Sequence, residues 1–233
     1  MKIIVPLSGP DFVIGESTKA EIDLNGTPFL KSVLDSRPWH KAVTGNDYIF
    51  VLLDNAVTRK LSREKLCIWY PGCSIVFLSN VSRGAAISAM SGTSMMPDLN
   101  NELLCIDLAD IFYNTNFEPL GYLSKTEVDA VGLFFRSIES KYSYFRCSND
   151  HTILEAKEKI VISSYASSGT YFFKSAGIYL EALSLMIMDE TEEYMCNSLF
   201  YVSPVFNYLA RAGYYSRAIP VTDEYDLKIV VST

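Results

Sequence analysis

Residues 142–173 read YSYFRCSNDHTILEAKEKIVISSYASSGTYFF. Tyr142, Tyr144 and Arg146 alternate with Ser143, Phe145 and Cys147, and Ile153-Leu154 opens a second apolar patch. The polar run Ser148-Asn149-Asp150-His151 lies between them, so two paired strands joined by a turn are expected. Glu158 and Lys159 are neighbours, and in an extended strand they face opposite ways. Both reach one ligand only where the strand ends or bends. On the residues alone, Lys157-Glu158-Lys159 reads first as solvated charge. Residues 163–169 are small and polar, which predicts a turn where Gly169 takes a positive φ or admits a ligand close to the backbone, ahead of a strand over 170–173.

Working outward, the chain alternates strands and helices. The β-branched run Lys2-Ile3-Ile4-Val5-Pro6-Leu7 stops at Ser8-Gly9-Pro10, as a buried parallel strand ending in a loop would. The turn Asn25-Gly26-Thr27-Pro28 precedes a helix with Phe29, Leu30, Val33 and Leu34 at helical spacing. Strands are expected over 48–53 and 74–78, with a helix before residues 62–67 between them. The alanine-rich residues 83–90 predict a helix and residues 102–108 a strand. This βαβαβ order predicts a mostly parallel sheet with helices on both faces and ligands at the carboxyl ends of the strands. Further on, residues 128–136 read as a strand, and residues 176–188 carry a broad apolar helical stripe whose methionines are core filler. A helix with Pro204 at its first position ends at Gly213. Residues 214–231 predict one or two strands broken by Asp223-Glu224-Tyr225-Asp226.

At 233 residues, 49% hydrophobic and without a break in composition, the chain is long enough for one large α/β domain. The net charge of −7 and the absence of a Lys/Arg cluster exclude a nucleic-acid surface. Cys67, Cys73, Cys105, Cys147 and Cys196 form no C-x-x-C pair and lie mostly in apolar runs, so buried free thiols in a reducing cytoplasm are expected rather than structural zinc. The opening apolar run is too short for a signal peptide, and no run approaches the ~20 residues of a membrane span. A soluble cytoplasmic protein is the expectation. His40 and His151 have no carboxylate or cysteine at useful spacing, so no histidine-activated nucleophile is argued.

The words of residues 142–173 resemble a segment of the sugar-phosphate nucleotidyltransferases of the pyrophosphorylase type, "W/YSYV…V.EA.EK..IS..A..GIYYF". In order along the chain, residues 3–9 resemble that family's opening "IVIPMAG", Lys19 the lysine of its "PKPL" word, and residues 24–30 its "V.GKPMI". Residues 83–89 are similar to "T.GAA.SAL", the segment that holds base and ribose, and residues 103–113 to "PLLI.N.DQY".

The resemblance implies the nucleotide-diphospho-sugar transferase fold, a GT-A-like α/β/α sandwich with a mostly parallel central sheet. Residues 1–115 would form a nucleotide-binding half and residues 116–233 an acceptor-binding half. It implies transfer of a nucleotidyl group from a nucleoside triphosphate to a sugar phosphate or similar small phosphate, with Mg²⁺, giving an activated nucleotide-sugar for surface-polysaccharide synthesis. By the same resemblance Ser8, Gly9, Gly84, Ala85 and Ser88 meet the nucleotide, and Asp110 binds the metal. Lys19 and Lys159 act on phosphates, while Glu158, Lys159, Gly169 and Tyr171 meet the acceptor, with Tyr142 and Tyr144 as further sugar-pocket candidates. A second metal aspartate is expected late in the chain, where Asp223 or Asp226 stands. Asp110 also reads as a turn or helix-capping residue after a strand, and Lys19 as a surface lysine.

The first loop departs from the family's pattern. The family has a Gly-rich turn with a "G-x-G/S-x-R" word cradling the triphosphate. Here Pro10 removes an N–H, the arginine is absent, and Asp11 and Glu16 add negative charge. A non-catalytic or repurposed nucleotide-sugar-binding member of the same fold is therefore the second expectation.

Overall fold

In the computed structural model, which describes residues 1–189 and 193–226, Lys2–Leu7 forms the central strand β1. Ile3, Val5 and Leu7 pack on one face of the sheet and Ile4 on the other, all buried, as a parallel strand covered on both sides requires. Strand β2 (Tyr48–Leu53) pairs parallel to β1, and β3 (Ser74–Leu78) parallel to β2. On the other side β4 (Leu104–Asp107) pairs parallel to β1. A short strand β5 (Ile111–Asn114) follows, then β6 (Ala130–Arg136), β7 (Ser143–Cys147), β8 (Ile153–Glu158), β9 (Tyr165–Phe173), β10 (Ser216–Pro220) and β11 (Thr222–Asp226).

Among the described residues the main sheet has nine strands in the order β8-β7-β9-β4-β1-β2-β3, with β6 paired to β9 and β10 to β6. Strand β9 runs antiparallel to β4, β6 and β7, and β8 antiparallel to β7; the remaining neighbours are parallel. β11 pairs with β5 in a separate ribbon.

Helices cover both faces. α1 (Phe29–Asp35) and α2 (Ala56–Leu61) lie over one core, in which Trp39 and Tyr70 are also buried. α3 (Ala85–Thr93), α5 (Ala176–Met188) and α6 (Val205–Arg211) lie over the other, and α4 (Pro119–Lys125) follows β5. The result is the expected α/β/α sandwich. Ser175 caps α5 by accepting from the Ile178 N–H, and Tyr179 anchors it by donating to the Ala86 carbonyl at 2.7 Å.

Several local expectations are corrected. Residues 163–169 are not a turn: strand β9 runs from Tyr165 through Ser167, Ser168 and Gly169, and the register against β6 slips between Gly132 and Phe134. A small polar run thus folds as a buried bulged strand, because both faces are covered. Helix α3 starts at Ala85, since Gly84 has φ 108 and ends the preceding loop. Pro204 is the cap rather than the first residue of α6, which stops at Arg211. Helix α4 has too little periodic pattern to be expected. Of the five free cysteines only Cys105 is buried, and Cys67 is exposed. His40 does have a carboxylate neighbour, Asp35 at 3.6 Å, although not one its sequence spacing shows. The end of the predicted tail, residues 227–231, lies outside the described residues.

The edge strand β8 is closed by a side chain. The Asn207 amide accepts from Ala156 N–H and donates to Ala156 carbonyl, both at 2.8 Å, taking the place of a neighbouring strand. Among the described residues no helix is long and apolar enough to cross a membrane.

Candidate functional site

The chain leaves β1 toward β2 on one side while β4 lies on the other, so the strand order reverses between β1 and β4. Loops leaving the carboxyl ends of adjacent strands diverge at such a point and open a crevice. A cleft of about 450 Å³ lies there, within the size range of small-molecule sites. Gly9, Asp11, Phe12 and Lys19 form one wall, Leu108, Ala109 and Asp110 the other, and Ala85 and Tyr201 complete the lining. Pro6, Leu7, Ala20, Phe29 and Leu30 give it an apolar floor.

The wall after β1 is a closed loop. Phe12 N–H donates to the Gly9 carbonyl, residues 13–14 pair with 17–18 as a small hairpin, and Lys19 N–H returns to the Phe12 carbonyl at 2.9 Å. Phe12 is buried, which pins the loop to the core. Lys19 Nζ is paired with Asp11, whose side chain is 74% exposed. The ammonium that the sequence offers to a phosphate therefore already has a carboxylate beside it.

The wall after β4 separates two aspartates. Asp107 is fully buried and takes both Arg37 Nε (2.8 Å) and Arg37 Nη2 (3.1 Å). Arg37 also donates to the Ile111 carbonyl and lies 3.8 Å from the centre of the Tyr113 ring. Burial by itself lowers the affinity of the guanidinium for its proton, but Asp107, Tyr113 and Cys105 around it together outweigh that and raise it. Ala109 has φ 53 and its N–H donates to Asp107 Oδ1 at 2.9 Å. This left-handed step reverses the chain, so that Asp110 stands in the cleft wall, half-buried, while Asp107 stays in the core.

Gly169 explains itself against this loop. Its φ is +78, and a Cβ there would lie 3.1 Å from Asp110 Oδ1 and 3.3 Å from Leu108 Cβ, while its carbonyl accepts from Leu108 N–H. The glycine expected at the acceptor packs against the Asp110 loop. Gly84 is similar: with φ +108, a Cβ would lie 2.3 Å from the Phe200 carbonyl oxygen. Phe200 donates to the Arg83 carbonyl at 2.8 Å and accepts from Ala86 N–H at 3.0 Å, so residues 200–201 run along the start of α3. Ser8 and Ser88 share a 2.6 Å hydrogen bond behind the cleft, and Ser88 a second with Ser82.

Glu158 is the last residue of β8 and Lys159 follows it at φ 56. Glu158 is buried and accepts from Ser143, whereas Lys159 is exposed and donates to the Tyr201 hydroxyl at 3.4 Å. Burial works to lower the Lys159 ammonium, but Tyr201 and Glu158 beside it more than offset this and raise it. Tyr171 is buried and accepts from Ser167 at 2.9 Å. Burial raises its phenol; the Ser167 hydrogen bond works against this, and the charges of Glu158 and Asp110 add to it. Tyr171 is buried without lining the cleft, and Tyr142 and Tyr144 are core residues.

The structure therefore brings Gly9, Lys19, Ala85 and Asp110 to one cleft, and Lys159 to its margin through Tyr201, while Glu158 lies buried at the end of β8 against Ser143. Asp223 is not brought there. It accepts from Asn114 Nδ2 at 3.1 Å, and the β5–β11 register sets Asp226, not Asp223, across from Ile111 beside Asp110. Sequence reading missed Tyr201, which lies in the apolar run Leu199-Phe200-Tyr201-Val202 and reads as core; it also missed Arg37, whose partner is remote in sequence.

No family model matches the chain, and no curated protein does. Solved structures do. A nucleoside-diphosphate-sugar pyrophosphorylase from Vibrio cholerae RC9 superimposes with a TM-score of 0.78 at 17% identity, over 96% of this chain and 93% of that one. An inositol-1-phosphate CTP transferase from T. maritima gives 0.66 at 15% identity, over 96% and 86%. A UDP-glucose pyrophosphorylase in complex with UDP-glucose gives 0.66 at 14% identity, over 97% and 92%. At these identities the likeness establishes architecture: the chain has the nucleotide-diphospho-sugar transferase fold.

Proposed function

We propose that the cleft binds a nucleoside triphosphate or nucleotide-sugar, and that the chain transfers a nucleotidyl group to a sugar phosphate or similar small phosphate. The observation that carries this reading is the position of Asp110 and Lys19 on opposite walls of a cleft at the switch point between β1 and β4. The product would be an activated nucleotide-sugar of the kind that surface-polysaccharide synthesis consumes. Solved proteins of this fold described as sugar-nucleotide pyrophosphorylases support the class of reaction.

An oxygen of the acceptor phosphate attacks the α-phosphorus in line, the bond to the β-phosphate oxygen breaks, and pyrophosphate leaves. No covalent enzyme intermediate is needed. Lys19 and Lys159 offset charge on the two phosphate groups, and Glu158 takes hydrogen bonds from acceptor hydroxyls. Ser8, Gly9, Gly84, Ala85 and Ser88 shape the nucleotide side.

Among the described residues no group of three or more His, Cys, Asp or Glu gathers to cage a metal. Mg²⁺ takes most of its ligands from phosphates and water and needs only one or two carboxylates, so the cleft fits it through Asp110. When bound there, Mg²⁺ would neutralise phosphate charge.

The Lys19–Asp11 pair and the closed first loop favour a second reading, a nucleotide-sugar-binding protein without turnover, regulatory or glycosyltransferase-like. A pyrophosphate-release assay with each of the four nucleoside triphosphates, Mg²⁺ and a mixture of sugar 1-phosphates separates the two. Acceptor-dependent release supports transfer. Calorimetric binding without release supports the second reading, and neither heat nor thermal shift at millimolar ligand defeats both.

A further inference from the structure

We propose that Tyr201 makes the cleft selective for ligands that carry a sugar, by walling the sugar side with its ring and by holding the Lys159 ammonium there with its hydroxyl. This rests on the reading of the cleft as a nucleotide-sugar site. Tyr201 is the half-buried member of a segment whose other residues, Phe200, Val202 and Ser203, are buried. The backbone of that segment is fixed to the start of α3 by Phe200, and only a glycine at 84 leaves it room. The ring is therefore presented to the cleft from a rigid support, as a recognition residue requires.

The Lys159 backbone is fixed as well. Its N–H donates to the Tyr142 carbonyl at 3.1 Å, and its backbone takes the left-handed conformation at φ 56 just after buried Glu158. Its ammonium lies 3.4 Å from the Tyr201 hydroxyl and 5.4 Å from the ring centre. Lysine otherwise holds its charge on a flexible stem, and a phenol fixed in place limits where that charge can go. An aromatic ring beside a held ammonium suits a pyranose with a negatively charged neighbour, the ring covering the C–H face of the sugar and the ammonium meeting the distal phosphate.

The test compares affinity for free nucleoside diphosphates (ADP, GDP, UDP, CDP and dTDP) with affinity for the matching glucose conjugates, by calorimetry on the intact chain. Wild type should bind one conjugate more tightly than its free diphosphate. Tyr201→Ala should weaken that conjugate by about tenfold and Tyr201→Phe by about threefold, with the free diphosphate changed by less than about twofold. In a Lys159→Met background Tyr201→Phe should have no further effect, a coupling that simple loss of packing does not produce. Equal weakening of both ligands by Tyr201→Ala, no weakening, or an undiminished Tyr201→Phe effect with Lys159→Met would overturn the proposal while leaving the nucleotide site in place. A wild type that binds none of the ligands would overturn the site itself.

Discussion

The loops after β1 and β4 leave adjacent parallel strands at the same end of the sheet and face each other across one cleft. The first meets its own electrostatic needs, pairing Lys19 with Asp11 and folding residues 13–18 into a hairpin. The second assigns its two acids to different media, Asp107 to Arg37 in the core and Asp110 to the cleft. A loop that neutralises itself can change without threatening the sheet. A loop that hangs on a buried ion pair cannot, and that pair is what makes Asp110 a fixed feature of the wall.

The largest effect should follow from breaking that pair. Arg37→Met leaves Asp107 buried and unpaired, and should cost roughly 3–5 kcal/mol of stability. Urea unfolding monitored by circular dichroism reads this directly. A loss under about 1 kcal/mol would mean that the ion pair does not hold the β4 loop.

Asp110→Asn sharpens the contrast three residues away. The group is half-buried and part of the cleft wall, so stability should shift by under about 0.5 kcal/mol. If nucleotidyl transfer is the function, turnover should fall by about a hundredfold or more. Full activity in this variant would move the metal role to another acid.

Gly84→Ala should act on the cleft from a third side. The added methyl meets the Phe200 carbonyl oxygen at 2.3 Å in a backbone region that favours glycine, so about 2 kcal/mol should be lost. Selectivity carried by Tyr201 should weaken along with it. A variant with unchanged melting and unchanged ligand preference would show that the 200–201 segment is not tied to α3.

These contrasts were unevenly legible in the sequence. The apolar runs inside Lys2–Leu7 and Tyr48–Leu53 identified strands to the residue, because burial on both faces leaves no polar position within them. Strand β8 does end at Glu158, which is the condition under which the adjacent Glu158 and Lys159 could serve one ligand, although one is buried and the other exposed. Residues 165–169 misled because small polar side chains satisfy a turn and a crowded interior equally well, and only the neighbouring strands decide. Arg37 with Asp107, and Tyr201 with Lys159, join residues far apart in the chain, and neither partner carries a local pattern that announces the other. The resemblance directed attention to Asp110 and Lys19; that Asp11 occupies Lys19 is a fact of the folded loop.

The smallest expected effect tests that occupation. Asp11 is mostly exposed, so Asp11→Asn should leave stability within about 0.5 kcal/mol, since pairs on the surface contribute little. Its effect on ligands has the opposite sign from most site mutations. A carboxylate beside Lys19 both occupies the ammonium and repels phosphate, so its neutralisation should strengthen nucleotide binding by about three- to tenfold at low salt. The gain should shrink as salt rises, because the charges are screened by solvent ions over about 10 Å at 0.1 M. Calorimetry at two ionic strengths, repeated with Lys19→Met, separates release of Lys19 from general repulsion: with Lys19 gone, most of the gain should disappear. Weaker binding in Asp11→Asn would mean that the carboxylate serves the ligand, through a cation or a ribose hydroxyl, and that the loop after β1 belongs to the site no less than the loop after β4.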